Sequence, residues 1–325
     1  MRRREFIALF GSAATAFVAR AQTDSQQRVA LLMGLAEHDP EAQARIAAFR
    51  RSLQEVGWTE GRNLRVDVRW AAGDVARTQQ LARELVDAAP DVIVVNTPPG
   101  LAALRQATHT IPLVFVQVLE ASETSVVLNP ARPESNVTGF TNFFGHDMSG
   151  KWLELLKEIA PKISRVAVLQ NPNHPSWQGY LSFLSRTAPG LDVQIVPAPL
   201  YTPKDIDDAL ARVVPDGGVM VLPDTFNTVH RDRIVALAAE HQLPAIYPSR
   251  FFVTKGGLMA YGADLAHLLG QAATYVDRIL KGAKTADLPV QQSDKIELVI
   301  NLKTANALSL RIPTSVLARA DEVIE

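Results

Sequence analysis

The chain has 325 residues, 33 Lys and Arg against 34 Asp and Glu, and no cysteine. Its length suits two domains of ordinary size, and 47% apolar with 21% charged residues describes globular material, not a disordered or fibrous chain. A net charge of −1 gives no electrostatic footprint for nucleic acid or an anionic membrane surface, and the missing thiol excludes disulfides, thiolate chemistry and lipid attachment through cysteine.

Residues 1–21, MRRREFIALFGSAATAFVARA, have the form of an export signal: an Arg-rich start, an apolar stretch from Phe6 to Val18 too short to span a bilayer, and the small-x-small cleavage pattern Ala19-Arg20-Ala21. Arg3-Arg4 followed by Glu5-Phe6-Ile7 also fits a twin-arginine signal, although Arg-rich starts serve the general secretory route too. Cleavage before Gln22 leaves 29 basic and 33 acidic residues, a net charge of −4. The expected product is periplasmic, with no cysteine to tether it.

Beyond the signal, strands and helices alternate. RVALLMGL (28–35), VIVVNTPP (92–99) and IPLVF (111–115) begin with or contain short apolar runs without polar alternation, as parallel strands covered on both faces do, and LRVDVRW (64–70) alternates. Helices are expected at 39–56, where Ile46, Phe49, Leu53 and Val56 share a face, and at 74–89. The second half continues with helix 148–160, strand 165–170, helix 176–187, strand 192–196, helix 204–214, strand 218–222, helix 229–241 and strand 258–261. It also repeats the first. RVAVLQNP (165–172) echoes 28–35, VMVLPDTF (219–226) echoes 92–99 and LPAIY (243–247) echoes 111–115, in the same order at offsets of 137, 127 and 132. The implied fold class is α/β, two doubly wound lobes with parallel sheets.

Motifs of catalysis are missing: there is no G-x-S-x-G, H-E-x-x-H, G-x-x-x-x-G-K-[ST] or G-x-G-x-x-G, and no metal or cofactor is expected. The two-cysteine racemase mechanism is excluded outright. His230 to Arg233 reads as a charged solvent face, and Asp147 as the N-cap of the helix at 148. Gly256-Gly257 and Gly262 bracket strand 258–261, as turns, a ligand approach or a hinge. Ligands of open α/β sheets bind beyond the carboxyl ends of the strands. The polar residues there are His38, Asn96, Thr97, Gln117, Glu120, Thr141, Asn142, Asn171, Asp224, Thr225 and Tyr261, and all but Asn142 form the candidate ligand-binding set. Gathered from both lobes, they suit a small polar molecule; were that molecule an amino acid, Thr97 with neighbouring backbone amides would meet its carboxylate and Asp224 its ammonium, with Tyr261 packing beside the hinge, and the alternative for Asp224 is a capping residue.

RREFIALFGSAATAFVARAQ, ARPESNVTGFTNF (131–143), LPAIYPSRFFVTKGGLMAYGADL (243–265), VDRILKGAKTADLPVQ (276–291), ELVINLKTANAL (297–308) and RADEVIE (319–325) closely resemble the ABC transporter substrate-binding proteins of the tryptophan/tyrosine-binding type. The resemblance covers essentially the whole chain. It implies a type I periplasmic-binding fold, lobes joined by a three-strand hinge, with residues 22–139 and 262–290 in lobe 1 and 140–261 and 291–325 in lobe 2. It implies a periplasmic receptor that captures a small ligand and delivers it to an ABC permease in the inner membrane, acting as a monomer without nucleic acid. A ligand sensor for a membrane kinase and an exported enzyme are the alternatives. Where relatives carry Ser-Asp-Pro the chain reads Val118-Leu119-Glu120-Ala121, and where they carry Q-P-T-K-F-E-L it reads Gln292-Ser293-Asp294-Lys295-Ile296-Glu297. The ligand is therefore expected to be an aromatic amino acid, an aromatic acid or another small carboxylate.

Overall fold

The structure is a computed structural model that describes residues 26–118, 131, 133, 136–142, 145–173, 177–213 and 216–325. The export signal, Glu120 and cleavage at Gln22 lie outside the described residues.

Strands β1 (Gln27–Met33), β2 (Leu64–Trp70), β3 (Val92–Val95), β4 (Leu113–Val118) and β5 (Val137–Thr141) interleave with α1 (Pro40–Glu55), α2 (Val75–Asp87) and α3 (Pro98–Ala107). The chain then builds α4 (Met148–Ile159), β6 (Arg165–Gln170), α5 (Trp177–Thr187), β7 (Gln194–Pro199), α6 (Pro203–Ala211), β8 (Gly217–Val221), α7 (Thr225–Val229), α8 (Arg231–Glu240), β9 (Ala245–Tyr247), α9 (Arg250–Thr254) and β10 (Met259–Ala263). It ends with α10 (Leu265–Leu280), β11 (Gln291–Gln292), β12 (Ile296–Asn301), α11 (Leu302–Ala307), α12 (Thr314–Leu317) and β13 (Glu322–Ile324).

Two sheets result, ordered β11-β5-β4-β3-β1-β2 and β13-β12-β10-β9-β8-β6-β7. The order 2-1-3-4-5 of the first recurs as 7-6-8-9-10 in the second, and the three sequence echoes map β1 onto β6, β3 onto β8 and β4 onto β9. The β1 run shows why those strands lack alternation. Val29, Leu31 and Met33 join a core with Ile46, Phe49 and Leu53 of α1, while Ala30 and Leu32 join Ala82 and Leu85 of α2 and Leu104 of α3 on the other face. Both lobes are doubly wound.

The chain passes between the sheets three times, after β5, β10 and β11. The ladders run up to each crossing: Thr141 pairs with Val118 in the first sheet, Ala263 with Ile296 in the second and Gln292 with Thr141 in the first. Helix α10, reached from the second sheet, packs on α1 of the first lobe.

Two local expectations are corrected. Asp147 sits at the N-cap of α4 with helical dihedrals and makes no side-chain cap bond. The helix expected at 229–241 is broken at His230, giving the single turn α7 and then α8.

Candidate functional site

The carboxyl ends of β1, β3 and β4 in one lobe face those of β6 and β8 in the other across a cleft of about 910 Å³. In each sheet the cleft centres on the point where strand order reverses, between β1 and β3 and between β6 and β8, where open α/β sheets hold ligands. Six expected residues line it: Asn96, Thr97 and Gln117 from lobe 1, Asn171, Asp224 and Thr225 from lobe 2.

The lobe 1 wall is a hydrogen-bonded relay. Asn96 Oδ1 accepts from the Gly34 N–H at 2.8 Å, and Asn96 Nδ2 donates to Gln117 Oε1 at 3.4 Å. That oxygen also accepts from Arg45 Nη1 at 2.9 Å, and Arg45 Nε donates to Glu41 at 3.0 Å. Gln117 holds a left-handed backbone, φ +65°, at the register shift between Val116 and Val118. A bulge re-aims the residue it carries, and left-handed Gln is strained, a combination found at ligand clamps.

Thr97 is less of an anion cradle than its position at a helix start suggests. It N-caps α3, its Oγ1 accepting from Gly100 N at 3.2 Å, and the next two residues are Pro98 and Pro99, which have no N–H. The two residues after Thr97 therefore offer no amide to a carboxylate; the Thr97 hydroxyl hydrogen and the Gln117 amide are donors on this wall, beside Asn96 Nδ2 and the Arg45 guanidinium.

On the lobe 2 wall Asp224 N-caps α7, with Oδ1 accepting from Phe226 N at 2.6 Å, and both carboxylate oxygens lie within 3.4 Å of Asn171 Nδ2. The capping alternative is therefore realised, in a residue that also faces the cleft. Asn171 Oδ1 in turn accepts from Asn173 N at 3.0 Å.

The remaining candidates lie elsewhere. His38 is exposed in the turn before α1. Thr141 is buried in β5 and its hydroxyl donates to the Gln291 carbonyl at 3.4 Å. Tyr261 sits mid-way along β10, packed against the core, with its carbonyl accepting from Trp152 Nε1 at 2.7 Å. Conversely, His230 lines the cleft and is not on the solvent face, its ring tilted against Phe226 at 4.4 Å between centroids, and Arg231 is buried. Burial, followed by the charge of Arg233, holds the His230 imidazole below its ordinary value, which favours the neutral ring. The expectation of a solvent face holds for Asp232 and Arg233, which are exposed, and fails for His230 and Arg231, which the break at His230 turns inward. Arg45, Leu35, Leu200 and Tyr201 also line the cleft and were not expected: they lie on helices and loops that periodicity alone does not aim at a ligand. No group of three or more His, Asp or Glu side chains among the described residues is arranged to hold a metal ion.

A family model described as ABC transporter substrate binding protein matches residues 29–324. The chain belongs to that family. An ABC substrate-binding protein is a solute receptor, and the two-lobed cleft is the architecture that such a receptor requires. Among its relatives is the tyrosine-binding protein of Clostridioides difficile (strain R20291), 27% identical over 292 residues, which span 89% of this chain and 84% of that one. A conserved domain protein of Vibrio cholerae superposes with TM-score 0.84 at 29% identity, over 92% of this chain and 99% of that one. The ABC domain crystallised with L-Trp from Streptococcus pneumoniae gives TM-score 0.83 at 21% identity, over 92% of this substrate-binding protein and all, 100%, of that chain. No helix among the described residues is long and apolar enough to cross a membrane.

Proposed function

We propose that this substrate-binding protein captures an aromatic amino acid, or a related small aromatic acid, and hands it to an ABC permease. The observation that carries this reading is a two-walled cleft that combines polar and apolar side chains. Asn96, Thr97, Gln117, Asn171 and Asp224 surround the strand ends, while Leu35, Pro98, Leu200, Tyr201 and Phe226 offer a surface for a ring. The curated relative named for tyrosine and the relative crystallised with L-Trp support the same class. The Gln117 amide and Thr97 hydroxyl then meet the carboxylate, and Asp224 the ammonium. Calorimetric titration with L-tyrosine, L-tryptophan and their des-amino acids tests it: the amino acids should bind, and the des-amino acids more weakly. Equal binding of both removes Asp224 from the amine, and binding of neither overturns the class.

The receptor works outside the cytoplasm as a monomer. Its free sheet edges support the second point: β7 carries Pro197 and Pro199, which cannot donate to an added strand, β2 alternates Arg65, Asp67 and Arg69, and β13 is three residues long. Residues 1–21 direct export, so the mature chain recovered from a periplasmic extract should begin at Gln22. An intact N-terminus recovered from the cytoplasm counts against export, and loss of export in Arg3→Lys/Arg4→Lys identifies the twin-arginine route, since general secretion tolerates that change.

A further inference from the structure

Beyond the ligand walls, the lobes touch through a buried ion pair. Asp39, the N-cap of α1 in lobe 1, presents Oδ2 to Arg231 Nη1, the first residue of α8 in lobe 2, at 2.8 Å. The two side chains are only 11% and 8% exposed. Each is held by its own lobe: Asp39 Oδ1 accepts from Glu41 N at 2.9 Å, and Arg231 Nη1 also donates to the Thr228 carbonyl at 2.9 Å. Phe251 of α9 lies between two guanidinium groups, with Arg231 of its own lobe 5.8 Å and Arg45 of the opposite lobe 5.6 Å from its ring centroid, within cation–π range. Asp39, Arg231 and Phe251 do not line the cleft, whereas Arg45 does, through its bond to Gln117.

The position gives the contact leverage. Asp39 follows β1, which stands three strands away from the crossing strand β5, about 14 Å at the usual strand spacing. Rotation about the crossovers therefore separates these groups before it disturbs the hinge. When the lobes part, both charges return to water; while they are together, each charge is buried and needs the other.

We propose that Asp39 and Arg231, with Phe251 between Arg231 and Arg45, form a latch that sets ligand affinity without touching the ligand. The paired charges permit a closure that either charge left alone opposes, and Arg45 connects the latch to the ligand wall at Gln117. This rests on the solute-receptor reading but not on which solute is bound. It predicts a specific pattern for neutralised variants. Asp39→Asn keeps an N-cap side chain and leaves buried Arg231 with only the exposed Asp232 of its own lobe, 3.9 Å away, as counter-charge; Arg231→Met leaves Asp39 without its partner; the double variant leaves neither charge of the interlobe pair.

Because the chain has no cysteine, one spin label can be placed on each lobe, through Gln79→Cys in α2 and Ser185→Cys in α5, both exposed. Electron–electron distance measurements on the unliganded protein should give a short interlobe population, a longer one in Asp39→Asn and in Arg231→Met, and a return to the short one in the double variant. Circular-dichroism melting confirms that each variant is folded, and Arg231→Lys, which keeps the charge, should keep the short distance. With L-tryptophan and L-tyrosine as probes, each neutral single variant should bind about tenfold or more weakly and dissociate faster, and the double should recover most of that loss. Single variants with the wild-type distance distribution, or a double variant as impaired as the two singles combined, overturn the latch. Wild-type protein that binds neither probe overturns the ligand class proposed above, and the distance measurement then decides the latch alone.

Discussion

Two residues show how different constraints produce similar sequence signals. Asp224 caps α7 and faces the cleft, so its removal would confuse two roles, but Asn is as good an N-cap as Asp. Asp224→Asn should therefore leave the melting temperature of the unliganded protein nearly unchanged while weakening binding of L-tyrosine or L-tryptophan by about 1.5–3 kcal/mol, the range for a hydrogen bond to a charged group. Lower stability with unaltered affinity would confine Asp224 to capping. Gly139 is the opposite case, a residue near an expected crossing whose reason is packing. Its φ is +154°, and a Cβ there would lie 2.1 Å from the carbonyl oxygen of Phe115, its partner across β4 and β5. Gly139→Ala should cost about 3 kcal/mol or more, from backbone strain and displaced strand pairing together, read as a lower urea midpoint. The rule that ligands sit beyond strand ends follows from topology, and six of the candidates line the cleft. Thr141 and Tyr261 lie within their strands, Thr141 as the last residue of β5 and Tyr261 mid-way along β10, because a strand's last residue is not marked by its composition.

At the scale of elements, the repeat was legible and the helices that interrupt it were not. Runs such as VIVV and VMVL announce buried parallel strands by lacking any polar alternation, and their order alone predicted the matching sheets. Helix α3 gave no such signal, since it opens Pro98-Pro99-Gly100, residues that read as a turn until Thr97 is seen to cap them. The crossovers are tied by charge. Asp264 caps α10 through the Ala266 and His267 N–H groups and pairs with Lys295 at 2.7 Å, joining the second crossing to the third. Beside them Glu297 of β12 is buried, paired with Arg250 at 3.2 Å, with Oε1 lacking a hydrogen-bond partner. Burial pushes the Glu297 carboxyl up, Arg250 pulls it down, and repulsion from Asp264 helps keep the net shift upward. A raised folded-state value means that the stability associated with Glu297 is fully present below the unfolded carboxyl value, about 4.3, and is lost as pH rises through the folded value. Glu297→Gln removes that loss. Its stability relative to wild type should therefore increase between pH 4 and pH 7 in urea titrations, whatever the constant offset from weakening the Arg250 pair; a difference independent of pH would show that Glu297 is not held in this state.

The whole molecule is two copies of one winding pattern, facing each other at their carboxyl ends and connected by three short crossings. That arrangement concentrates ligand contacts on surfaces that belong to different rigid bodies, so a solute bound by both walls stabilises the closed arrangement by its differential affinity for it. The sequence could not give the distance between the lobes. Asp39 and Arg231 are separated by most of two domains in the chain, and nothing local to either announces that they meet. Two consequences follow for the intact receptor. Adding saturating L-tryptophan or L-tyrosine should lower the radius of gyration in small-angle scattering, and by a larger amount in Arg231→Met, whose lobes start further apart, than in wild type. The melting temperature should rise with ligand concentration by mass action, corresponding to about 2.7 kcal/mol at a hundredfold excess over Kd. A ligand that raises the melting temperature while leaving the scattering curve of both proteins unchanged would show that binding needs one wall only, and closure of the two lobes would have to be given up as the mode of capture.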